Sequence, residues 1–377
     1  MLARRTGSRL AAGMNLHLCR DPSVGLRAVI AIDDTTLGPA LGGVRWKAYA
    51  SEDDAVAECR RLAAGMTLKN AAAELPYGGG KSVILNEGTP VNRRAVLQAF
   101  GRCVAALDGA YIPGVDMGTT IEDLAVVGTV ASDVACSTED PSPWTALGTA
   151  AAIRSAVRHA DGAETLAGVR VAIQGAGHVG ASLADLLARD GAEVIVADVD
   201  SARSQQVAAS VGGHAVAATA ILTTPCDVLA PCAVARVISA STLDSLRCRI
   251  VAGAANDMLA DRPLADALAA RGITYVPDFI ANAGGVVHIH ALRAGWDEDR
   301  LRTEVLKIGG RVTDTLTAAG AAGTTPLAAA EALARRRIAR GRDGRAGRRD
   351  ARRPSRTDTG ASSRSRTPAS SPARAPR

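Results

Sequence analysis

The chain has 377 residues, 47% of them apolar, and no segment reaches the roughly 18 consecutive apolar residues of a membrane span. The net charge is +6, but 15 arginines and 3 aspartates lie from Arg335 to the C-terminus. The tail therefore carries +12 and the preceding 334 residues carry −6. A mildly acidic body of this length predicts two domains without a nucleic-acid-binding face.

The cysteines and the N-terminus indicate the compartment. Seven cysteines are spread along the chain without a C-x-x-C pair, which predicts reduced thiols and no metal site. The N-terminal residues contain no uninterrupted apolar stretch of signal-peptide length. We therefore expect a cytoplasmic protein.

The first 140 residues alternate between short apolar runs and helical spacing, which predicts an α/β domain. A serine followed by acidic residues predicts the start of a helix at Ser51, and Pro76 with the following glycines predicts its end. The predicted elements are a strand at 24–34, a turn at GPALGG, an extended piece at RWKAYAS, a helix at 51–75, a strand at KSVIL, a helix at 93–107, a strand end at YIPGVDMG and a short helix from Ile121.

From residue 141 the pattern changes to repeated strand–helix units, which is typical of a doubly wound parallel sheet. We therefore assign residues 141–324 to a doubly wound, Rossmann-type dinucleotide-binding domain. Residues 325–340 are predicted to form a C-terminal helical segment. Residues 341–377 are rich in arginine, serine and proline, which predicts a disordered tail. A tether to nucleic acid or to an acidic surface is the alternative for this tail.

The sequence GAGHVG matches the dinucleotide-binding pattern G-x-G-x-x-G, with Gly175, Gly177 and Gly180 at the three glycine positions. An apolar strand precedes it and an amphipathic helix follows, as the Rossmann fingerprint requires. His178 and Val179 lie inside the motif, and we expect His178 to be solvated rather than catalytic.

Asp198 ends the next predicted strand, 23 residues after Gly175. Its carboxylate can accept hydrogen bonds from a ribose hydroxyl and would repel a 2′-phosphate, which favours NAD over NADP.

Only four lysines occur in the chain, and two of them, Lys69 and Lys81, flank a run of three glycines. The ending GGGKS resembles a phosphate-binding P-loop, but that motif needs glycine where Leu75 stands and a helix where SVIL reads as a strand. Lysine, unlike arginine, can be shifted toward neutrality by burial or by a second cation. We therefore expect one lysine to hold a carboxylate and the other to move protons, with Asp116 sharing the proton.

The chain resembles the leucine, valine and phenylalanine dehydrogenases of the glutamate dehydrogenase superfamily. The resemblance runs from about Asp21 to about Ile338 and rests on TLGPALGG, GMTLKNA, GGGKSVI, DMGTT, PSPWTALG, GAGHVG, APCA, AGAAND and VPDFIANAGGVV. Several such blocks in the same order are more specific than any one of them.

This resemblance implies the reversible oxidative deamination of an L-amino acid with NAD and water. It also implies that residues 1–140 form the substrate domain, and that the site lies in a cleft between this domain and the dinucleotide-binding domain. It further implies a role for each matching residue. Lys69 would hold the substrate carboxylate, Lys81 would be the general acid/base, and Asp116 would assist it.

Other matching residues would line the substrate and the cofactor. Gly78 would allow close approach to the substrate, and Asn282 would lie between the substrate and the nicotinamide. Thr145 and Asn256 would contact the cofactor. Cleft closure would exclude water and help to depress the pKa of Lys81.

The residues that match the family's substrate pocket are apolar, namely Leu41, Gly114, Val286 and Ile289. Glutamate-specific relatives carry a lysine at the position of Leu41, so a second carboxylate would be buried without a partner here. Val286 and Ile289 favour a branched aliphatic side chain, whereas Gly114 leaves room that suits phenylalanine.

The chain also departs from the family pattern. Asp257 stands where relatives often have a second asparagine, and this carboxylate would weaken cofactor binding or face solvent. We expect a homo-oligomer that uses small-molecule substrates, although the Arg-rich tail replaces a chain end that helps subunit contacts in relatives. A folate-type one-carbon dehydrogenase and a non-catalytic NAD-binding protein are the two alternative function classes.

Overall fold

The computed structural model describes residues 13–85, 88, 92–135 and 139–351, with the backbone alone described from 344 to 351. Most of the predicted tail and Cys136 therefore lie outside the described residues. Within the described part, no helix has both the length and the apolar character needed to span a bilayer.

The N-terminal half contains a mixed five-stranded sheet in the order β1-β2-β4-β3-β5. β2 is antiparallel to β1 and β4, whereas β3 is parallel to β4 and β5. The strands are β1 (Asn15–Asp21), β2 (Leu26–Asp34), β3 (Ala40–Lys47), β4 (Gly78–Leu85) and β5 (Tyr111–Val115).

The predicted turn at GPALGG is wrong for its second half. Ala40 to Gly43 lie inside β3, between β4 and β5 at the interior of the sheet. A Cβ at Gly42 would lie 1.8 Å from the carbonyl oxygen of Gly80, so only glycine fits this close approach of two strands. The glycines serve the packing of neighbouring strands here, and a single sequence does not distinguish this use from a turn.

Helices cover both faces of this sheet. They are α1 (Glu52–Ala72), α2 (Arg93–Ala105) and α3 (Ile121–Gly128). Successive residues of β2 face opposite sides: Ile30 packs in the cluster that contains α2 and α3, whereas Val29 packs against α1. This period of two agrees with the predicted strand. The Ser51 side chain caps α1 by accepting a hydrogen bond from the N–H of Asp54.

The second sheet has six parallel strands in the order β11-β10-β9-β6-β7-β8, which is the doubly wound order predicted for a dinucleotide-binding domain. The order reverses between β6 and β9, so the carboxyl ends of these two strands mark the crevice where ligands bind. The strands are β6 (Arg170–Gln174), β7 (Glu193–Ala197), β8 (His214–Ala215), β9 (Val228–Pro231), β10 (Ile250–Val251) and β11 (Thr274–Tyr275).

Nine α-helices are described from residue 139 onward. They are α4 (Ser142–Asp161), α5 (His178–Arg189), α6 (Ser201–Ser210), α7 (Ala240–Leu243), α8 (Leu264–Ala270), α9 (Asp278–Ala281), α10 (Gly284–Ala294), α11 (Glu298–Ala322) and α12 (Pro326–Ala351). α11 packs along α4, and α12 then returns to contact α1 in the first domain.

The C-terminal helix extends beyond the segment 325–340 that the sequence predicts. α12 continues to Ala351 and packs against α1 of the N-terminal domain. Arg337 donates to the backbone oxygen of Ala71 at 2.7 Å, and Arg342 lies 2.7 Å from the carboxylate of Asp34. Arg342, at the start of the predicted tail, thus ties the longer helix to the other domain.

Candidate active site

Lys69 and Lys81 lie on two elements that pack against each other. Lys69 is in the last turn of α1, and Lys81 follows the three glycines within β4. A Cβ at Gly79 would lie 2.1 Å from the backbone nitrogen of Thr67, so the glycine lets the helix approach the strand. Gly78 makes a similar approach to the backbone of Asp34. Because a strand follows Lys81, the structure also excludes the P-loop alternative.

Lys81 and Asp116 form a buried ion pair. The Nζ atom of Lys81 lies 2.6 Å from Oδ2 of Asp116, and the Lys81 side chain is 8% exposed. The Nε atom of Arg45 lies 3.0 Å from the same oxygen. Burial raises the pKa of Asp116, but the charges of Lys81 and Arg45 outweigh burial and lower this pKa to about 2. The carboxylate is therefore ionised at neutral pH and can orient an ammonium or accept a proton in transit.

Lys69 contacts the dinucleotide domain directly. Its Nζ atom donates to Oδ1 of Asn256 at 2.8 Å, and Nδ2 of Asn282 donates to the same oxygen at 3.0 Å. Asn282 is buried, and its own Oδ1 atom has no hydrogen-bond partner within the described residues. Lys69, the predicted substrate anchor, and Asn282, predicted to lie between substrate and nicotinamide, thus both donate to one oxygen of Asn256, a predicted cofactor contact.

The environment of Lys69 lowers its pKa. Burial is the main cause, and the charge of Lys81 acts in the same direction. The carboxylates of Asp278, Asp257 and Asp116 act in the opposite direction. Lys69 and Lys81 are therefore close enough to influence each other electrostatically, as two amines around one small anion must be.

Asp257 is held beside this cluster. Its φ angle of 51° lies in the left-handed region, where aspartate and asparagine are tolerated better than most residues. Its backbone N–H donates to the Asp278 side chain, and its own carboxylate contacts Arg61 of α1. Asp257 therefore faces the other domain and has a partner there, which neither alternative for this residue anticipated.

The glycine motif forms the start of α5, with the spacing that the sequence predicts. Gly175 has φ 103°, and a Cβ at Gly180 would lie 1.9 Å from the Gly175 carbonyl oxygen. Nothing lies within 4 Å of a Cβ at Gly177, and no side chain caps the helix start. The backbone N–H groups of this turn are consequently open to a phosphate. Val179 is half-buried within the first turn of α5.

The sequence places His178 in this loop, and the structure shows it at the surface. Its side chain is 84% exposed, and Nδ1 lies 2.9 Å from Oδ2 of Asp140 at the start of the second domain. This arrangement fits the predicted solvated residue rather than a catalyst.

Asp198 follows β7 and contacts the glycine loop. Its Oδ2 atom accepts a hydrogen bond from the N–H of Ala176 at 2.7 Å, and Oδ1 accepts one from the N–H of Asp200 at 2.9 Å. These backbone hydrogen bonds, led by that of Ala176, lower the pKa of Asp198. An ionised carboxylate thus lies at the position where the Rossmann fold binds the ribose hydroxyls.

Thr145 lies in the first turn of α4 and packs against α10. Its hydroxyl donates to the carbonyl oxygen of Pro141 at 3.1 Å. A Cβ at Gly285 would lie 2.9 Å from the oxygen of the Thr145 hydroxyl. The two glycines at the start of α10 thus allow Thr145 to approach the helix that follows Asn282. The structure brings these two predicted site residues into the same region.

The predicted pocket walls belong to one apolar region. Leu41 is buried in the large hydrophobic cluster, and the half-buried Val286 and Ile289 pack against that same cluster. At Gly114, a Cβ would lie 3.6 Å from the nearest atom, the carbonyl oxygen of Ala135, which is an ordinary contact. Gly114 therefore leaves space rather than allowing a forced backbone approach.

Sequence reasoning missed Arg45, Glu58 and Arg61. The Nη1 atom of Arg45 contacts the Glu58 carboxylate at 2.7 Å, and Arg61 lies 3.7 Å from that same carboxylate. Glu58 and Arg61 are three residues apart on α1, so they share a helix face, and Arg45 interrupts an apolar strand. These two patterns were the available signals, but they do not reveal that the three side chains meet.

No group of three or more potential metal-ligating side chains occurs among the described residues. Six described cysteines are free, and burial raises the pKa of Cys226 and Cys232 to about 12.

Two models of known protein families together match most of the chain. The family model described as "Glu/Leu/Phe/Val dehydrogenase, dimerisation domain" matches residues 15–132. The model described as "Glutamate/Leucine/Phenylalanine/Valine dehydrogenase" matches residues 138–203 and 196–345.

Individual proteins give the same result. The leucine dehydrogenase of Bacillus subtilis (strain 168) is 38% identical over 337 residues, which cover 88% of this chain and 93% of that protein. The valine dehydrogenase of Streptomyces virginiae is 39% identical over 333 residues, with coverage of 85% and 92%.

Solved structures agree with the fold. The L-tryptophan dehydrogenase of Nostoc punctiforme superposes with a TM-score of 0.78 at 34% identity, covering 87% of this chain and 96% of that chain. The hetero-hexameric glutamate dehydrogenase of Thermus thermophilus, at 21% identity and a TM-score of 0.71, is similar in fold alone. These matches confirm the predicted resemblance and the α/β fold class and favour the dehydrogenase over the other two function classes. The chain therefore belongs to the glutamate, leucine, phenylalanine and valine dehydrogenase family of NAD(P)-dependent amino-acid dehydrogenases.

Proposed function

We propose that the protein catalyses the reversible, NAD-dependent oxidative deamination of an apolar L-amino acid. The amino acid, NAD⁺ and water are converted to a 2-oxo acid, ammonium, NADH and a proton. The observation that carries this proposal is the 2.6 Å contact between Lys81 and Asp116, next to a second lysine that reaches the dinucleotide domain. NAD, when bound, would supply the hydride acceptor, and the side chains of this chain would bind and orient the substrate and move protons.

Lys69 is the anchor for the substrate carboxylate in this proposal. An ammonium carries three N–H donors, and the contact with Asn256 uses one of them. A bound carboxylate would favour the charged form of Lys69 and offset the effect of burial. Substrate binding would thus stabilise the charged form of Lys69, which burial opposes.

Lys81 is the general acid/base. Its amine would take a proton from the water that attacks the imine carbon, and would return a proton to the departing ammonia. Asp116 would hold the ammonium form of Lys81 between these steps through the short contact of the two side chains. Gly43 leaves the space for this pair, because a Cβ there would lie 2.7 Å from Cβ of Asp116 and 3.1 Å from Nζ of Lys81.

The residues of the second domain fit NAD. The uncapped N–H groups at the start of α5 would bind the pyrophosphate, and the carboxylate of Asp198 would accept hydrogen bonds from the ribose hydroxyls. The guanidinium of Arg203 lies 3.4 Å from Asp200, so this nearby cation already has an acidic partner. Thr145 and Asn256 are the proposed contacts for the nicotinamide end.

The substrate side chain is proposed to be branched and aliphatic. Leu41, Val286 and Ile289 provide apolar walls, and none of them could pair with a second substrate carboxylate. Burying such a carboxylate without a partner would cost several kcal/mol, so glutamate should be a poor substrate. Leucine and valine differ by one methylene, worth about 1–3 kcal/mol, so both should react.

We further propose that the protein is a homo-oligomer. The matched dimerisation domain supports this proposal, together with two exposed leucines on the edge strand β1. Leu16 and Leu18 are 37% and 58% exposed and two residues apart, so they lie on one face of that strand.

The proposed function is tested by Lys81→Ala, with the exposed Lys307→Ala as the matched control. NADH formation from L-leucine, L-valine and L-phenylalanine should fall by about 1,000-fold or more in the first variant and stay unchanged in the second. NAD binding, followed by calorimetry, should persist in both. Full activity of Lys81→Ala, or faster turnover of glutamate than of the three apolar substrates, would contradict the proposal.

A further inference from the structure

A chain of charged side chains leads from the acid/base pair to the opposite side of the cleft. Each member contacts the next, and the charges alternate in sign along the whole chain. The N-terminal domain supplies the first five members and the dinucleotide domain supplies the last. In order, they are Lys81, Asp116, Arg45, Glu58, Arg61 and Asp257.

Arg45 occupies the centre of this chain. Its guanidinium contacts Oδ2 of Asp116 at 3.0 Å on one side and Oε1 of Glu58 at 2.7 Å on the other. The side chains of Arg45 and Glu58 are 14% and 16% exposed. Solvent therefore screens these contacts less than it screens an ion pair at the surface.

The outer end of the chain crosses between the domains. The guanidinium of Arg61 lies 3.7 Å from Glu58 and also contacts the carboxylate of Asp257. The N–H of Asp257 is bound by Asp278, which holds the Asp257 backbone in place in the second domain. The contact between Arg61 and Asp257 can form only while the two domains face each other.

We propose that Arg45 is a positioning residue for the Lys81–Asp116 pair, and that the Arg61–Asp257 contact across the cleft acts on this pair through Arg45. This inference rests on the proposed function. Arg45 and Lys81 share one oxygen of Asp116, so Arg45 fixes that carboxylate and offsets part of the negative charge that acts on Lys81. Without Arg45, the Asp116 carboxylate would hold the Lys81 ammonium more strongly, because no second cation would share its oxygen.

The other groups around the pair do not account for such an effect. Burial raises the pKa of Cys59 to about 12 and also raises the pKa of Tyr111, so both remain neutral. Lys47 contacts Glu58 at 3.2 Å and does not bridge to Asp116. Lys69 also acts on this pair, and Asp278 acts on Lys69; the Arg45 and Asp257 variants leave both residues in place.

The first test is the pH profile of kcat/KM for oxidation of L-leucine by Arg45→Gln and Arg45→Lys. In Arg45→Gln, the limb that rises with pH should move upward by about one pH unit, because one adjacent cation is lost. Arg45→Lys should keep the position of the limb and lower kcat. An ammonium supplies the positive charge, but it lacks the planar guanidinium that contacts Asp116 on one side and Glu58 on the other. Arg20→Gln, an exposed arginine of the same sheet, is the matched control and should change neither.

The second test measures whether Asp257 acts through Arg45. In Asp257→Asn, Arg61 is left with Glu58 alone, which weakens the hold of Glu58 on Arg45 and lets Arg45 bind Asp116 more tightly. The rising limb should then move to lower pH by a few tenths of a unit in the wild-type background and stay unchanged in the Arg45→Gln background.

The outcomes separate this inference from the proposed function. An unchanged profile in both Arg45→Gln and Arg45→Lys would overturn the positioning role, and equal shifts from Asp257→Asn in both backgrounds would overturn the coupling. A wild-type protein that forms no NADH from any amino acid would instead contradict the proposed function. If Arg45→Gln does not fold, as judged by circular dichroism, then Glu58→Gln takes its place as the second background, because it breaks the same chain between Arg45 and Arg61, and Asp257→Asn should leave the limb unchanged there.

Discussion

Lys69 and Asn256 are joined across the cleft by a 2.8 Å hydrogen bond from Nζ to Oδ1. One residue ends a helix of the N-terminal domain, and the other follows a strand of the dinucleotide domain. The proposed anchor of the substrate carboxylate and a proposed contact of the nicotinamide end are therefore neighbours. Binding at one position will alter the environment of the other, and four predictions follow from this site.

Lys69→Met should weaken substrate binding without lowering the thermal stability of the protein. Burial lowers the pKa of Lys69 in the folded protein, so the charged lysine opposes folding below that folded pKa. The penalty disappears as pH rises toward the unfolded value of about 10.5. At pH 7 the variant should unfold at the same or higher temperature than the wild type, while KM for L-leucine should rise by about 100-fold. Thermal unfolding and steady-state kinetics measure the two effects, with Lys307→Met as control; a lower unfolding temperature would count against it.

Asp116 should make the free energy of unfolding depend on pH in the acidic range. Its pKa is about 2 in the folded protein and about 3.8 as an ordinary side chain, so its contribution is complete above pH 4. The contribution is lost as pH falls through 2, and it amounts to about 2 kcal/mol. The free energy of unfolding in urea should therefore decrease less between pH 6 and pH 3 in Asp116→Asn than in the wild type. Equal decreases would show that the carboxylate does not titrate below its ordinary value.

Asp198→Asn should relax the choice of cofactor. The amide oxygen can still accept the hydrogen bond from Ala176, so the glycine loop keeps its shape. The negative charge that would repel a 2′-phosphate is removed. The ratio of kcat/KM for NADP to that for NAD should rise by about 10-fold or more. A ratio that stays at the wild-type value would place the ribose away from this carboxylate.

Gly114→Ala should lower activity selectively, whereas Gly43→Ala should abolish it. At Gly114 a methyl group meets only an ordinary contact at 3.6 Å, so the protein should fold normally and lose room in the pocket. The value of kcat/KM for L-phenylalanine should fall about 10-fold relative to L-valine. At Gly43 the methyl group would displace Asp116 and Lys81, so activity toward every substrate should be lost. Equal losses for both substrates in Gly114→Ala would place this residue outside the pocket.

The local sequence was sufficient to predict those helices and strands whose signals come from residues close together in the chain. The serine cap at Ser51, the helix that carries Lys69, and the strand that carries Lys81 all appear where local spacing places them. The same is true of the strand, glycine turn and helix around Gly175, and of the alternation of strands and helices that builds the second sheet. Hydrophobic period, caps and glycines act over a few residues, so one sequence is enough to reveal them.

The sequence alone could not show which charged groups face one another. Arg45, Glu58, Arg61 and Asp257 stand on three separate segments, and only the packing of α1 on the sheet and of one domain on the other brings them together. The GPALGG segment and the helix beyond Arg340 were misjudged for the same reason, since a partner distant in sequence determines each. The sequence by itself determined the elements and the kinds of chemical group that the site has. The tertiary structure decided which groups share an atom, because long-range contacts depend on the whole fold.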